Sequence, residues 1–277
     1  MSLGIAFKGP EGIVLAADSR VTLMAQAQAA AAPGQPSVPL LLPTNFDNAT
    51  KLLKVAGQDF VGAVTYGVGA LIGPSGARTV HSLMPEFEEE LYGEKVARLS
   101  VEDFAKRLGD FCMRQWRAFG IPSAPGQDIY FLVGGYDESA AYGRVFLLTV
   151  PSDPVPKEQN AGTGQFGVTY GGQAEWVCRL LNGWDPNLFA AMKNTVGLSQ
   201  QQVKALEALK PQFAAAIPWQ FLPLQDCVDL STFLISATMS LQKWVGGIHG
   251  VGGAIDVAII TRGKKFEYIQ QKAISVR

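Results

Sequence analysis

A chain of 277 residues, 48% of them hydrophobic and 17% charged, can bury a core the size of one large domain, which excludes a predominantly disordered protein. Its 23 basic and 24 acidic residues leave a net charge of −1 with no Lys/Arg cluster, so nothing in it resembles an electrostatic footprint for nucleic acid or an anionic membrane. Cys112, Cys178 and Cys227 are widely spaced and odd in number, which fits buried thiols in a reducing compartment better than a disulfide frame or a zinc site. The amino end lacks a basic segment followed by an apolar run, and no apolar run approaches membrane-spanning length; a cytoplasmic protein is expected.

Residues 2–20 hold two runs rich in β-branched and aromatic side chains, Leu3 to Lys8 and Ile13 to Ala17, separated by Gly9-Pro10-Glu11-Gly12. This predicts a β-hairpin with a serine at its first position. Val21 to Pro43 holds an Ala/Gln tract and then Pro33, Pro36, Pro39 and Pro43. Prolines at that density cannot continue a helix or a central strand, so an extended surface loop is expected, inserted at about 24–45. Lys51 to Ala56, a turn at Gly57-Gln58-Asp59, and Phe60 to Tyr66 predict a second hairpin. Gly67, Gly69 and Gly73 lead into Pro74-Ser75, a helix start by composition. Thr79 to Leu91 and Val101 to Phe119 carry apolar residues at helical spacing, with Ser100 and Asp103 placed to cap the second helix.

Period-two patterning then returns. Asp128 to Asp137 and Arg144 to Val150 predict a third hairpin, and residues 151–161 read as a loop. Gly162 to Gly167 reads as the turn opening a helical stretch from Gly172 to Leu181. Asp185 to Gln220 is a polar, helix-prone insertion (about 183–222 with its flanks) interrupted by Pro211 and Pro218. An amphipathic helix over Leu224 to Trp244 and a hairpin of Ile255 to Thr261 and Phe266 to Ile269 complete the chain. The order is strands, two helices, strands, two helices, strands. It suggests an α+β protein with two antiparallel sheets between helix pairs.

Isolated features carry little chemistry. Gly162-x-Gly164-x-x-Gly167 matches a dinucleotide fingerprint by letters, but it follows a proline-broken loop and sits in no βαβ unit, so a tight turn is the better reading. His81 and His249 have no partner at metal-ligand spacing, and neither a metal nor a cofactor is expected. Ser2 is different: with Met1 removed it would carry a hydroxyl and a free α-amine on one residue, a nucleophile with its own base.

Several short motifs in one order make the chain resemble the proteasome β-type subunits, members of the N-terminal nucleophile hydrolases. They are Ile5-Ala6-Phe7, Gly12 to Arg20 (Gly-Ile-Val-Leu-Ala-Ala-Asp-Ser-Arg), Phe131 to Asp137, Val145-Phe146-Leu147, Thr163-Gly164, and Gly252-Gly253-Ala-Ile-Asp-Val-Ala-Ile-Ile-Thr261. The resemblance covers nearly all of residues 1–277 as one domain, excepting the two insertions. It implies a four-layer αββα sandwich, a homo-oligomeric ring, and a peptide or unfolded-protein substrate. It also implies a catalytic set: Ser2 as nucleophile, Asp18 as the acid behind it, Arg20 as the basic residue that follows, Lys51 as the catalytic lysine, and a backbone N–H of Tyr66 or Gly67 as the oxyanion donor. Whether the insertions cap a ring, gate it or bind a regulatory partner stays open.

Physical chemistry divides the labour within that set. A free α-amine has an ordinary pKa of about 7.7–8.0 against about 10.4 for lysine. Deprotonating an unperturbed lysine at neutral pH costs roughly 4 kcal/mol, so the amine is the better base and Lys51 a fixed positive charge held by Asp18. Two departures motivate a second reading, a ring or scaffold subunit without peptidase activity. Ile248 and Val251 stand where the family carries an acidic residue and a serine, and Gln165 where another serine is expected, with His249 in the same depleted loop. Met1, if retained, would turn the amine of Ser2 into an amide with no basic lone pair. The peptidase is the leading reading, with hydrolysis and transfer of the peptide bond both open.

Overall fold

Both strands of the first hairpin, Leu3–Lys8 and Ile13–Asp18, bury every side chain, because both faces of their sheet are covered. The computed structural model describes residues 2–29, 38–74, 76–124 and 126–273, the stretches 24–29 and 38–41 by backbone alone. Strands β1 (Leu3–Lys8) and β2 (Ile13–Asp18) pair antiparallel across a turn closed by the Gly9 N–H on the Gly12 carbonyl at 2.9 Å.

The expected loop after the hairpin is a paired ribbon instead. β3 (Val21–Ala29) and β4 (Val38–Phe46) form a two-stranded antiparallel sheet, with Met24 opposite Pro43 and Gln28 opposite Pro39. A two-stranded ribbon needs hydrogen bonds on one edge only. Pro39 and Pro43 are four residues apart and so share the edge that makes none. Pro33 and Pro36 lie outside the described residues.

β5 (Leu52–Leu53) and β6 (Val61–Gly67) realise the second hairpin. Pro74 does not start a helix: β7 (Ala70–Gly73) and β8 (Gly76–Thr79) are a hairpin, and Ser75 lies outside the described residues. A 3₁₀ turn over His81–Leu83 then leads into α1 (Met84–Gly93), later than the Thr79 start that periodicity suggests. α2 (Val101–Ala118) opens as expected, the Ser100 hydroxyl accepting from the Asp103 N–H at 3.0 Å.

β9 (Ile129–Gly135) and β10 (Arg144–Val150) are the third hairpin. Two further strands occupy stretches expected to be a loop and a helix start. β11 (Asp153–Gln159) is the edge strand beside β10, the one place where Pro154 and Pro156 are tolerated. β12 (Gly167–Gly172) pairs with β1, so Gly162 to Gly167 feeds a strand. The remaining elements are α3 (Glu175–Asn182), α4 (Pro186–Thr195), α5 (Gln200–Leu209), α6 (Leu224–Gln242), β13 (Ile255–Ile260) and β14 (Glu267–Gln270), with α4 and α5 filling the polar insertion.

Two five-stranded sheets result, ordered β12-β1-β2-β13-β14 and β11-β10-β9-β6-β5. Side chains of Ala6, Ile13, Leu15 and Ala17 meet Leu52, Val64, Tyr66 and Leu132 between them. On the far side of the first sheet Leu3, Ile5 and Phe7 pack with Val177 of α3 and Leu234 and Ile235 of α6. On the far side of the second, Val61, Ala63 and Phe131 pack with Phe87 of α1 and Phe104, Leu108 and Phe111 of α2. Cys112, Cys178 and Cys227 are buried and free, and burial pushes the thiols of Cys112 and Cys227 up to about 12. No helix of the described residues is long and apolar enough to cross a membrane.

Phe104 is fully buried and meets Phe87 edge-to-face at 5.8 Å, which makes it the pivot of the α1–α2 layer. Phe104→Ala is expected to cost about 3–5 kcal/mol in denaturant unfolding with an unchanged fold by circular dichroism.

Candidate active site

The start of β1, the end of β2, the end of β6 and the segment before β13 converge at one end of the two sheets, and Asp18 is the point where they are joined. Its carboxylate is 1% exposed and accepts four hydrogen bonds. One oxygen takes the Leu3 N–H at 2.9 Å and the Lys51 ammonium at 2.7 Å; the other takes the Gly252 N–H at 3.0 Å and the Arg20 N–H at 3.1 Å. A carboxylate whose acceptor sites are filled in this way cannot serve as a general base, so Asp18 positions and neutralises.

Lys51 is 5% exposed. Burial pulls its ammonium below the ordinary lysine value, opposed by Asp18. Ser2, also buried, shares with Lys51 the wall of a cavity of about 250 Å³, and lines a second, more open one with Gly67, Trp116 and Gln127 on its other side. The nucleophile expected from sequence thus lines both spaces, and the expected lysine lines one of them.

Strand register separates the two candidate oxyanion donors. Just past β6 the N–H of Val68 goes to the Asp128 carbonyl, and within it that of Thr65 goes to the Lys51 carbonyl. N–H groups alternate sides along a strand, so that of Tyr66 is committed to Tyr130 of β9. Gly67 points its N–H the way Thr65 does, beyond the end of β5, where Ala49 has turned away to bond Ser19. Gly67 is therefore the candidate and Tyr66 is not. Its φ of 88°, and the Asp128 carbonyl oxygen only 2.4 Å from where a Cβ would stand, leave room for glycine alone.

Other expected residues fall elsewhere. Arg20 turns away from Ser2: its guanidinium grips Asp47 at 2.6 and 2.8 Å and donates to the His249 carbonyl at 3.2 Å, tying two loops together behind the site. The His249 ring bonds the Val245 carbonyl at 2.8 Å within its own loop. Gln165 precedes Gly167, which pairs with Lys8 at the opposite end of β1, about 20 Å from Ser2 at roughly 3.3 Å per residue. It is excluded from the site. Val251 belongs to the apolar core beside α6.

Gln173 takes the place expected for Gln165. Its N–H donates to the Ser2 carbonyl at 2.8 Å, and its side-chain oxygen accepts from Gln242 at 2.9 Å and from the Gly250 N–H at 3.0 Å. The signal for it is the adjoining Gly172, φ 99°, where a Cβ would lie 1.9 Å from the Ser2 carbonyl oxygen. A glycine that lets two backbones touch marks a contact, but sequence alone does not say with what. His81, which falls in the stretch expected to be helical from Thr79, lines the smaller cavity as well.

No family model matches the chain, and no curated protein matches it in sequence. Among solved structures it is similar to the Gly-1 mutant of Anbu from Hyphomicrobium sp. strain MC1, at 15% identity and a TM-score of 0.53, covering 98% of this chain and 87% of that one. At this identity the similarity carries the fold, which is proteasome-like, and no residue roles.

Because the folded chain holds the Lys51 proton less tightly than the unfolded chain does, unfolding takes up a proton between the lowered native value and about 10.4, and that contribution to stability rises with pH. Lys51→Met is expected to flatten this alkaline rise in urea titrations and to cost about 3 kcal/mol at pH 7 by leaving Asp18 without its cation.

Proposed function

We propose that the protein is a proteasome-like N-terminal nucleophile hydrolase that cleaves peptide bonds, with Ser2 as nucleophile in a chain that begins at Ser2. The observation that carries this reading is the Lys51–Asp18 ion pair at 2.7 Å, anchored through the Leu3 N–H to the residue next to Ser2 and opening on the same cavity. A four-layer αββα arrangement belongs to the same reading, and the three apolar clusters, one between the sheets and one on each outer face, support it.

In this mechanism the Ser2 Oγ attacks the carbonyl carbon of the substrate while its proton passes to the α-amine of the same residue. The Gly67 N–H and the Lys51 ammonium face the developing negative charge, and Asp18 keeps Lys51 charged and in place. The C–N bond then breaks, the amine-borne proton leaves with the departing amine, and water releases the acyl group from Ser2. Assembly into a homo-oligomeric ring belongs to the same proposal, as do the peptide or unfolded-protein substrate and a cytoplasmic location.

One observation favours the alternative of a scaffold subunit. Val251 lies in the core, Gln173 beside Ser2 is held by Gln242, and the loop 247–253 contains no acidic residue to face the amine.

Intact mass decides first. The hydrolase reading expects native protein lacking Met1 and labelled at Ser2 by a peptide boronate, with Ser2→Ala unlabelled and Lys51→Ala weaker by about a hundredfold or more. Retained Met1, or equal labelling of all three proteins, leaves the scaffold reading standing.

A further inference from the structure

The smaller cavity has a chemistry of its own. Its wall between Ser2 and the 3₁₀ turn is made by Thr65, Thr79, Val80 and His81. Thr65 is 6% exposed and its Oγ1 has no hydrogen-bond partner among the described residues. A buried hydroxyl left unpaired costs about 1–3 kcal/mol, a cost relieved when a ligand supplies the missing bond. The strand register places Thr65 beside Lys51, through the bond from its N–H to the Lys51 carbonyl.

The charges around this space are already matched. Lys51 is paired with Asp18, and Lys272 bonds the buried Asp256 through both its ammonium and its backbone N–H. His81 stands at the exposed rim of the cavity, where partial desolvation, and then Lys272, hold it below the ordinary histidine value, with Glu88 opposing them. Its imidazole is accordingly neutral above neutral pH, with one donor and one acceptor nitrogen. Among the described residues no carboxylate lines the cavity to receive a cationic side chain, and no unpaired cation lines it to receive an anionic one.

We propose that this cavity receives a neutral carboxamide side chain, glutamine or asparagine, on the residue whose carbonyl Ser2 attacks. A carboxamide presents one acceptor and a pair of donors, which matches the Thr65 hydroxyl and the His81 ring. Val21, Val68 and Val80 supply the apolar wall for its methylene stem. The β7–β8 hairpin determines the selectivity, because it delivers His81 to the cavity wall. The assignment rests on the hydrolase reading above.

The test uses the full chain, its amino terminus verified as Ser2, and N-acetyl tripeptide amides of 7-amino-4-methylcoumarin that differ only in the residue next to the coumarin. Glutamine is expected to exceed glutamate, norleucine and lysine by about tenfold or more in kcat/KM. Thr65→Val and His81→Leu are each expected to lower the glutamine-to-norleucine ratio about tenfold, a ratio that does not move with the folded fraction. Glutamate or norleucine equal to or above glutamine overturns the assignment, as do variants that leave the ratio unchanged. Absence of both turnover and boronate labelling at Ser2 overturns the hydrolase reading, and this assignment with it, whereas labelling with no side-chain preference overturns this assignment alone.

Discussion

Burying a carboxylate is costly unless every lone pair finds a donor, and Asp18 meets that condition only if three separate pieces of chain reach it beside the donor of its own turn. The Leu3 N–H fixes the start of β1, the Arg20 N–H the exit from β2, the Gly252 N–H the loop before β13, and Lys51 the approach to β5. Removing any one donor leaves an unsatisfied charge in a dry place, so the site and the junction of the two sheets are stabilised by the same interaction. Arg20 reinforces this from behind. Its bridge to Asp47 and to the His249 carbonyl joins the loop that delivers Lys51 to the loop that delivers Gly252.

Much of this is legible in the sequence where local pattern and turn chemistry agree. The hairpins at 3–18, 51–67 and 129–150, the capped helix after Ser100, and α6 all appear where periodicity puts them. So does the pairing of Asp18 with Lys51, which the family pattern implies and the 2.7 Å contact describes. The strands that pattern misses share one cause, the treatment of proline as a veto on strands. At an edge, or on the outward side of a two-stranded ribbon, a proline withholds an N–H that no partner needs, and both β4 and β11 use that licence.

The site residues that pattern misses have a different origin. Gln173 and His81 come from segments whose local sequence carries no signature, one following a strand that composition presents as a helix start and the other following a hairpin that composition presents the same way. Gln165 is the candidate from sequence because it stands where the resemblance leads one to expect a serine. Antiparallel pairing of β12 with β1 sends its turn to Lys8 and brings the other end of the strand, Gly172, to Ser2. Only register makes that distinction. The same is true of the proposed oxyanion donor, where a shift of one residue separates an N–H spent in the sheet from one that is not.

Register also explains how the loop at 247–253 departs from the expected family pattern. Val251 gives its side chain to the core and its N–H to Gln242, while Gln173 holds Gly250. These neutral bonds order the loop alongside those from Arg20 to the His249 carbonyl and from the Gly252 N–H to Asp18, with no charged side chain of its own. The electrostatic work at Ser2 is thereby concentrated in a single ion pair, Lys51 with Asp18, whose cation is already destabilised by burial. A cation poorly solvated by its surroundings responds strongly to new negative charge placed beside it, since little water competes for it. An alkoxide or tetrahedral oxyanion formed next to Lys51 would supply such charge, whereas a neutral bound peptide would not. In the proposed hydrolase, the burial that makes Lys51 costly in the resting protein would be what makes it selective for the charged transition state.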